Sequence, residues 1–175
     1  MPSDDVTQRW LEQTRVAWDE RADMFNELSS ANAKADDRKA ELDFVFAALG
    51  VGSGDRVLDA GCGPGHFAIA FAKQGCVVDG IDISPEMIAR ARENAADAKI
   101  DISFSVGDLV PLNASDRAYA AIVSRMVLPV LSAPLGCPER VPARHRPGWE
   151  TLAGRTWFAF ANLPALLEAI SRGRA

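Results

Sequence analysis

The chain has 175 residues, enough for one domain with a buried core. Apolar residues make up 48% and charged residues 25%, which excludes a wholly disordered chain. A formal net charge of −5 argues against general affinity for a phosphate backbone, so nucleic acid is not an expected partner.

Cys62, Cys76 and Cys137 are widely spaced and odd in number, with neither a disulfide framework nor a zinc-ligand spacing. His66 and His145 are too few and too separated to suggest a metal site. No apolar run approaches the ~20 residues that cross a bilayer, and the N-terminal Met1-Pro2-Ser3-Asp4-Asp5 is unlike a secretory signal. A cytoplasmic protein with reduced thiols, no metal and no membrane partner is expected.

In chain order, the first forty residues read as helical and polar, with Trp10, Leu11, Trp18 and Phe25 as apolar anchors and a break at Ser29-Ser30-Ala31-Asn32. From Asp37 an amphipathic helix begins, its stripe formed by Leu42, Val45, Phe46 and Leu49, with Gly50 as C-cap. Arg56–Ala60 reads as a strand entering a glycine cluster, Gly65–Gln74 as a helix, and Cys76–Ile81 as a second strand. Ser84-Pro85-Glu86 combines an N-cap, a first-turn proline and a first-turn acid, which predicts a helix to about Ala98. Asp101–Val106 alternates as an edge strand does, and Tyr119–Ser124 is another apolar strand. This β-α-β-α-β order predicts a mostly parallel sheet with helices on both faces. Five prolines between Pro129 and Pro147 then exclude regular structure there. A strand at Thr156–Phe160 and a helix at Leu163–Ser171 close the chain.

The segment Val57-Leu58-Asp59-Ala60-Gly61-Cys62-Gly63-Pro64-Gly65 carries the chemistry. Closely spaced glycines between a strand and a helix let backbone approach a ligand and aim helix N-terminal amides at it. A dinucleotide fingerprint needs its third glycine one place later, where this chain has His66. Asp59 before the loop would repel a pyrophosphate but suits a cationic amino acid moiety.

Asp59-x-Gly61-x-Gly63-x-Gly65 after a strand resembles motif I of the class I S-adenosylmethionine (SAM)-dependent methyltransferases. Asp82, twenty-one residues after Gly61, stands where that family binds ribose hydroxyls, with Ile83 beside it. The resemblance implies that Met87 packs against adenine, that Asp108 and Leu109 lie around the adenine amino group, and that Cys62 and Ser124 belong to the same cofactor site. Cys62 reads as a loop filler rather than a nucleophile. Trp18-Asp19-Glu20-Arg21-Ala22 resembles the N-terminal helix that covers the cofactor in small-molecule methyltransferases; packing of Trp18 and Phe25 on the sheet is the alternative.

The implied fold is a Rossmann-like α/β three-layer sandwich, with an N-terminal helical lid (1–36), a SAM-binding domain (37–131) and an atypical Pro/Arg-rich segment (132–175). The implied cofactor is SAM, the implied activity is methyl transfer to a small molecule, and no catalytic residue is legible. Compared with the family, the last strands are expected to be missing, through truncation, a shifted reading frame or completion by a partner. That would leave the fourth strand as an open edge for homodimer pairing. A degenerate SAM-binding protein with an incomplete substrate site is the alternative function.

Overall fold

The computed structural model describes residues 4–33, 42–43, 45–47, 49–108, 119–125, 151–152 and 155–160. Two helices, α1 (Asp4–Asp19) and α2 (Ala22–Ala33), precede the sheet. The expected break at residues 29–32 is not observed, since α2 runs through it and the chain turns instead at residues 20–21. Leu42, Val45, Phe46 and Leu49 are helical as their spacing predicts. Gly50 ends that segment at φ +63°, its amide donating to the Phe46 carbonyl.

Strand β1 (Arg56–Ala60), helix α3 (His66–Lys73), strand β2 (Val77–Asp82), helix α4 (Pro85–Asp97) and strand β3 (Ser103–Val106) follow within a residue or two of their predicted bounds. Helix α4 starts as its sequence dictates. The Ser84 hydroxyl accepts from the Met87 amide, Pro85 opens the first turn and Glu86 follows. Strand β4 (Ala121–Arg125) and the antiparallel pair β5 (Thr151–Leu152) and β6 (Arg155–Phe160) complete the described elements.

The sheet order is β3-β2-β1-β4-β6-β5. The β1–β2, β1–β4 and β2–β3 pairs are parallel, and β4–β6 is antiparallel. Strand β3 is at the edge, as its alternating sequence predicts. The expected open edge at β4 is corrected, because β6 pairs with it from Ile122↔Phe160 to Arg125↔Trp157. Thr156, Trp157, Phe158 and Phe160 are residue types that favour strands. Sequence located this strand but not its neighbour, and the basis for pairing through β4 is removed.

Against one face of the sheet, Val57, Val78 and Val123 cluster with Phe71, Ala68, Ile88 and Ala91 of helices α3 and α4. Phe46 packs at a tilt against Phe71, ring centres 4.6 Å apart, tying the preceding helical segment to the same core. Gly65, the N-cap of α3 at φ +78°, packs directly against α4 and β3. A Cβ there would lie 3.0 Å from Ala91 Cβ and from the Phe104 ring. Gly65→Ala is therefore expected to cost about 2 kcal/mol or more in urea unfolding, combining left-handed backbone strain with overpacking. An unchanged midpoint would contradict this packing role.

Candidate functional site

The carboxyl ends of β1, β2, β3 and β4 open onto one cavity of about 210 Å³. Ligands of open α/β sheets occupy this end, because loops there leave the sheet in opposite directions. Asp59 from β1, Asp82 from β2, Gly107 and Asp108 after β3, and Arg125 from β4 all line it.

The glycine loop is held to β2. Gly61 and Cys62 donate their amides to the Ile81 carbonyl at 2.8 and 3.0 Å, and Gly63 donates to Asp82 Oδ2 at 2.8 Å. Gly61 and Gly63 have φ of +76° and +52°, which lets the chain turn this tightly. These three amides shape the loop, and Gly61 and Gly63 themselves line the cavity.

Asp82 is 9% exposed. Its Oδ1 accepts from the Ser84 amide at 2.9 Å while Oδ2 holds Gly63. Burial raises its pKa, those two amides oppose the rise, and the Asp19 carboxylate adds to it. Each oxygen keeps a second lone pair, so the carboxylate can still accept from ligand hydroxyls.

Asp59 is 4% exposed, and its Oδ2 has no hydrogen-bond partner among the described residues. Burial pushes its pKa up to about 7; Asp82 raises it further, whereas the Ala68 amide and Arg125 lower it. An unmet buried carboxylate oxygen costs stability. A cationic or hydrogen-bond-donating ligand would satisfy it.

The remaining walls are apolar. Ile83, Met87 and Phe67 line the cavity from the sheet side. Helices α1 and α2 roof it with Trp10, Leu11, Trp18 and Phe25. Trp18 meets Phe25 edge-on at 5.7 Å, so both rings serve the cavity. Polar latches hold this roof to α4. Ser84 Oγ donates to Asp19 at 2.6 Å, and Arg90 pairs with Asp23 at 2.7 Å. Asn94 Nδ2 donates to both Asn26 Oδ1 and the Pro64 carbonyl at 2.8 Å. His66 Nε2 lies 3.1 Å from that same Asn26 oxygen.

Residues 57–136 match a sequence family described as a methyltransferase domain. A solved structure assigned as a SAM-dependent methyltransferase, from Methanococcus maripaludis, shares the fold and 27% identity, with a TM-score of 0.53 over 62% of this chain and 50% of that one. These two matches support a class I SAM-dependent methyltransferase domain. SAM is the cofactor of this family, and its ammonium and ribose hydroxyls fit the acids and donor-hungry oxygens present here.

Two curated methyltransferases are also similar. A ubiquinone biosynthesis O-methyltransferase from Xanthomonas campestris is 30% identical over 135 residues, covering 75% of this chain. A 23S rRNA (uracil(1939)-C(5))-methyltransferase from Shewanella amazonensis is 48% identical over 62 residues, covering 35% of this chain. The matched regions span 56% and 14% of those relatives, respectively.

Of the sequence-predicted residues of this methyltransferase domain, Asp59, Gly61, Cys62, Gly63, Asp82, Ile83, Met87 and Asp108 line the one cavity. Gly65 does not; it is consumed in helix packing. Ser124 is 1% exposed and absent from the lining, because strand alternation turns it from the face that its neighbour Arg125 presents. Leu109 lies outside the described residues. Burial raises the Cys62 pKa well above the usual thiol value, consistent with an inert loop filler. Sequence reasoning missed Arg125, Phe67, Thr14 and Ser29. The signal for Arg125 was present, since it follows Val123 by two along a strand.

Proposed function

We propose that the protein transfers a methyl group from SAM to a small-molecule acceptor. The observation that carries this reading is the buried, unpartnered Asp59 oxygen in the cavity that also contains Asp82. In this assignment Asp59 holds the cofactor's ammonium and Asp82 its ribose hydroxyls. Ile83 and Met87 pack on adenine, and Asp108 accepts from the adenine amino group. Bound SAM supplies an electrophilic methyl on a positively charged sulfur.

The chain's own contribution is then to orient the acceptor and exclude water, which together are worth ~7–11 kcal/mol in favourable systems. The aromatic roof of Trp10, Trp18 and Phe25 suits this task and favours a small acceptor over a polymer. The rRNA methyltransferase match covers 35% of this chain and 14% of that relative, too little of either to carry the choice of acceptor. Among the described residues no helix is long and apolar enough to cross a membrane.

Calorimetry with SAM, S-adenosylhomocysteine and NADH tests the cofactor, with binding of the first two alone expected. Mass-spectrometric detection of S-adenosylhomocysteine across phenol, amine and carboxylate acceptors tests the activity. Binding without turnover on any acceptor would favour the degenerate SAM-binding reading, and failure to bind SAM would overturn both.

A further inference from the structure

We propose that Asp19 is a positioning residue for the cofactor: from the end of α1 it fixes Ser84, Ser84 fixes Asp82, and docking of the roof is thereby coupled to cofactor affinity. This rests on the cavity being the SAM site with Asp82 on the ribose, and it concerns a residue that does not itself line the cavity.

Ser84 is fully buried and stands between two carboxylates. Its amide donates to Asp82 Oδ1 at 2.9 Å, and its hydroxyl donates to Asp19 Oδ1 at 2.6 Å. A hydroxyl has one hydrogen, and the Ser84 oxygen already accepts from the Met87 amide at 3.0 Å. The hydrogen is therefore committed to Asp19, and the Ser84 side chain is set from both sides. Asp19 Oδ1 also accepts from the Glu86 amide at 3.3 Å, so α1 supplies part of the cap of α4. Its other oxygen is held at 2.6 Å by Arg15 of its own helix. One end of the Asp19 carboxylate is thus engaged within α1 and the other on α4.

Removing Asp19 leaves the buried Ser84 hydrogen and the Glu86 amide without their acceptor, and the first turn of α4 must adjust. Two cavity groups depend on that turn: Asp82, whose Oδ1 the Ser84 amide holds, and Met87. A small shift there misaligns an acceptor whose bonds to a ligand need fixed geometry. The other latches do not reach this point. Arg90 meets Asp23 and Asn94 meets Asn26 farther along α4, so they hold the roof down, whereas Asp19 ends on the residue that holds Asp82.

The test is titration calorimetry of the full chain with S-adenosylhomocysteine, on variants of Asp19, Ser84 and Asn26 made alone and together with Asp82→Ala. Asp19→Ala is expected to weaken binding about fivefold or more, within the roughly 2- to 30-fold range of residues that act without touching a ligand. Asp19→Asn keeps an oxygen for Ser84 and should bind within about twofold of the wild type. Ser84→Ala removes the same bond from the other side and should weaken binding comparably, without adding to Asp19→Ala. Beside Asp82→Ala the effect of Asp19→Ala should disappear, because nothing remains to be positioned, whereas any effect of Asn26→Ala should persist. A loss from Asp19→Ala that persists in that background would reduce Asp19 to a tether of the roof and overturn the proposal. Unchanged affinity in Asp19→Ala, or an equal loss in Asp19→Asn, would overturn it too. Should Asp19→Ala not fold, Ser84→Ala and Asp19→Asn decide the matter in the same way. If the wild type does not bind S-adenosylhomocysteine, the cofactor reading itself fails and the proposal fails with it.

Discussion

Replacing Asp82 with alanine is expected to weaken binding of S-adenosylhomocysteine by about 10- to 100-fold, since hydrogen bonds to a buried carboxylate are worth ~1.5–3 kcal/mol. The loss has two origins. Under the proposed assignment the ribose hydroxyls lose their acceptor. In addition, the Gly63 and Ser84 amides lose theirs, at 2.8 and 2.9 Å, which loosens the glycine loop and the start of α4 together. Stability should fall as well, by ~1–3 kcal/mol for buried donors left unmet. Titration calorimetry well below the melting temperature, with urea unfolding alongside, separates the effects. Affinity equal to that of the wild type would remove Asp82 from the cofactor site.

Asp59→Asn is expected to give the opposite result for stability and a similar one for binding. The folded Asp59 pKa of about 7 stands above the ordinary value of 3.8. Between those values the folded chain holds a proton that the unfolded chain has released, so stability falls as pH rises from about 4 to about 7. Above that window the buried charge costs on the order of 4 kcal/mol. Asn cannot ionise, so the variant should match the wild type near pH 4 and melt at a higher temperature at pH 8. Binding runs the other way. An ammonium beside Asp59 favours the ionised form, so SAM affinity should strengthen with pH up to about 7 and then level, with release of a proton below that point. Calorimetry in two buffers of different ionisation enthalpy counts that proton. The variant should lose both the proton and the affinity, exchanging function for stability. Identical pH profiles in the two proteins would refute the assignment.

The parts of this molecule legible in the sequence are those set by local chemistry. The N-cap at Ser84, the stripe Leu42-Val45-Phe46-Leu49 and the bounds of β1 follow from side-chain type and spacing. So does the shared location of Asp59 and Asp82, because strand ends and a parallel crossover fix where both acids must lie. The misses are tertiary. Nothing local shows that the loop amides are spent on Ile81 and Asp82, or that Gly65 serves Ala91 and Phe104 rather than a ligand. Ser124 and Arg125 differ by one step of the strand's two-residue period, which decides which of them faces the cavity. The place of β6 depends on a partner thirty residues earlier in the chain, which no window of sequence contains.

The latch between Asn94, Asn26 and His66 settles a matter of protons. A main-chain carbonyl can only accept, so the Asn94 atom facing Pro64 must be nitrogen. That nitrogen also meets Asn26, whose facing atom must then be oxygen. An oxygen beside His66 Nε2 calls for hydrogen on that ring nitrogen, which the Ser30 hydroxyl at 3.3 Å can also accept. The orientation of this latch therefore favours the Nε2–H form of neutral His66, a preference that traces to a backbone oxygen two residues away through amides borrowed from two other helices.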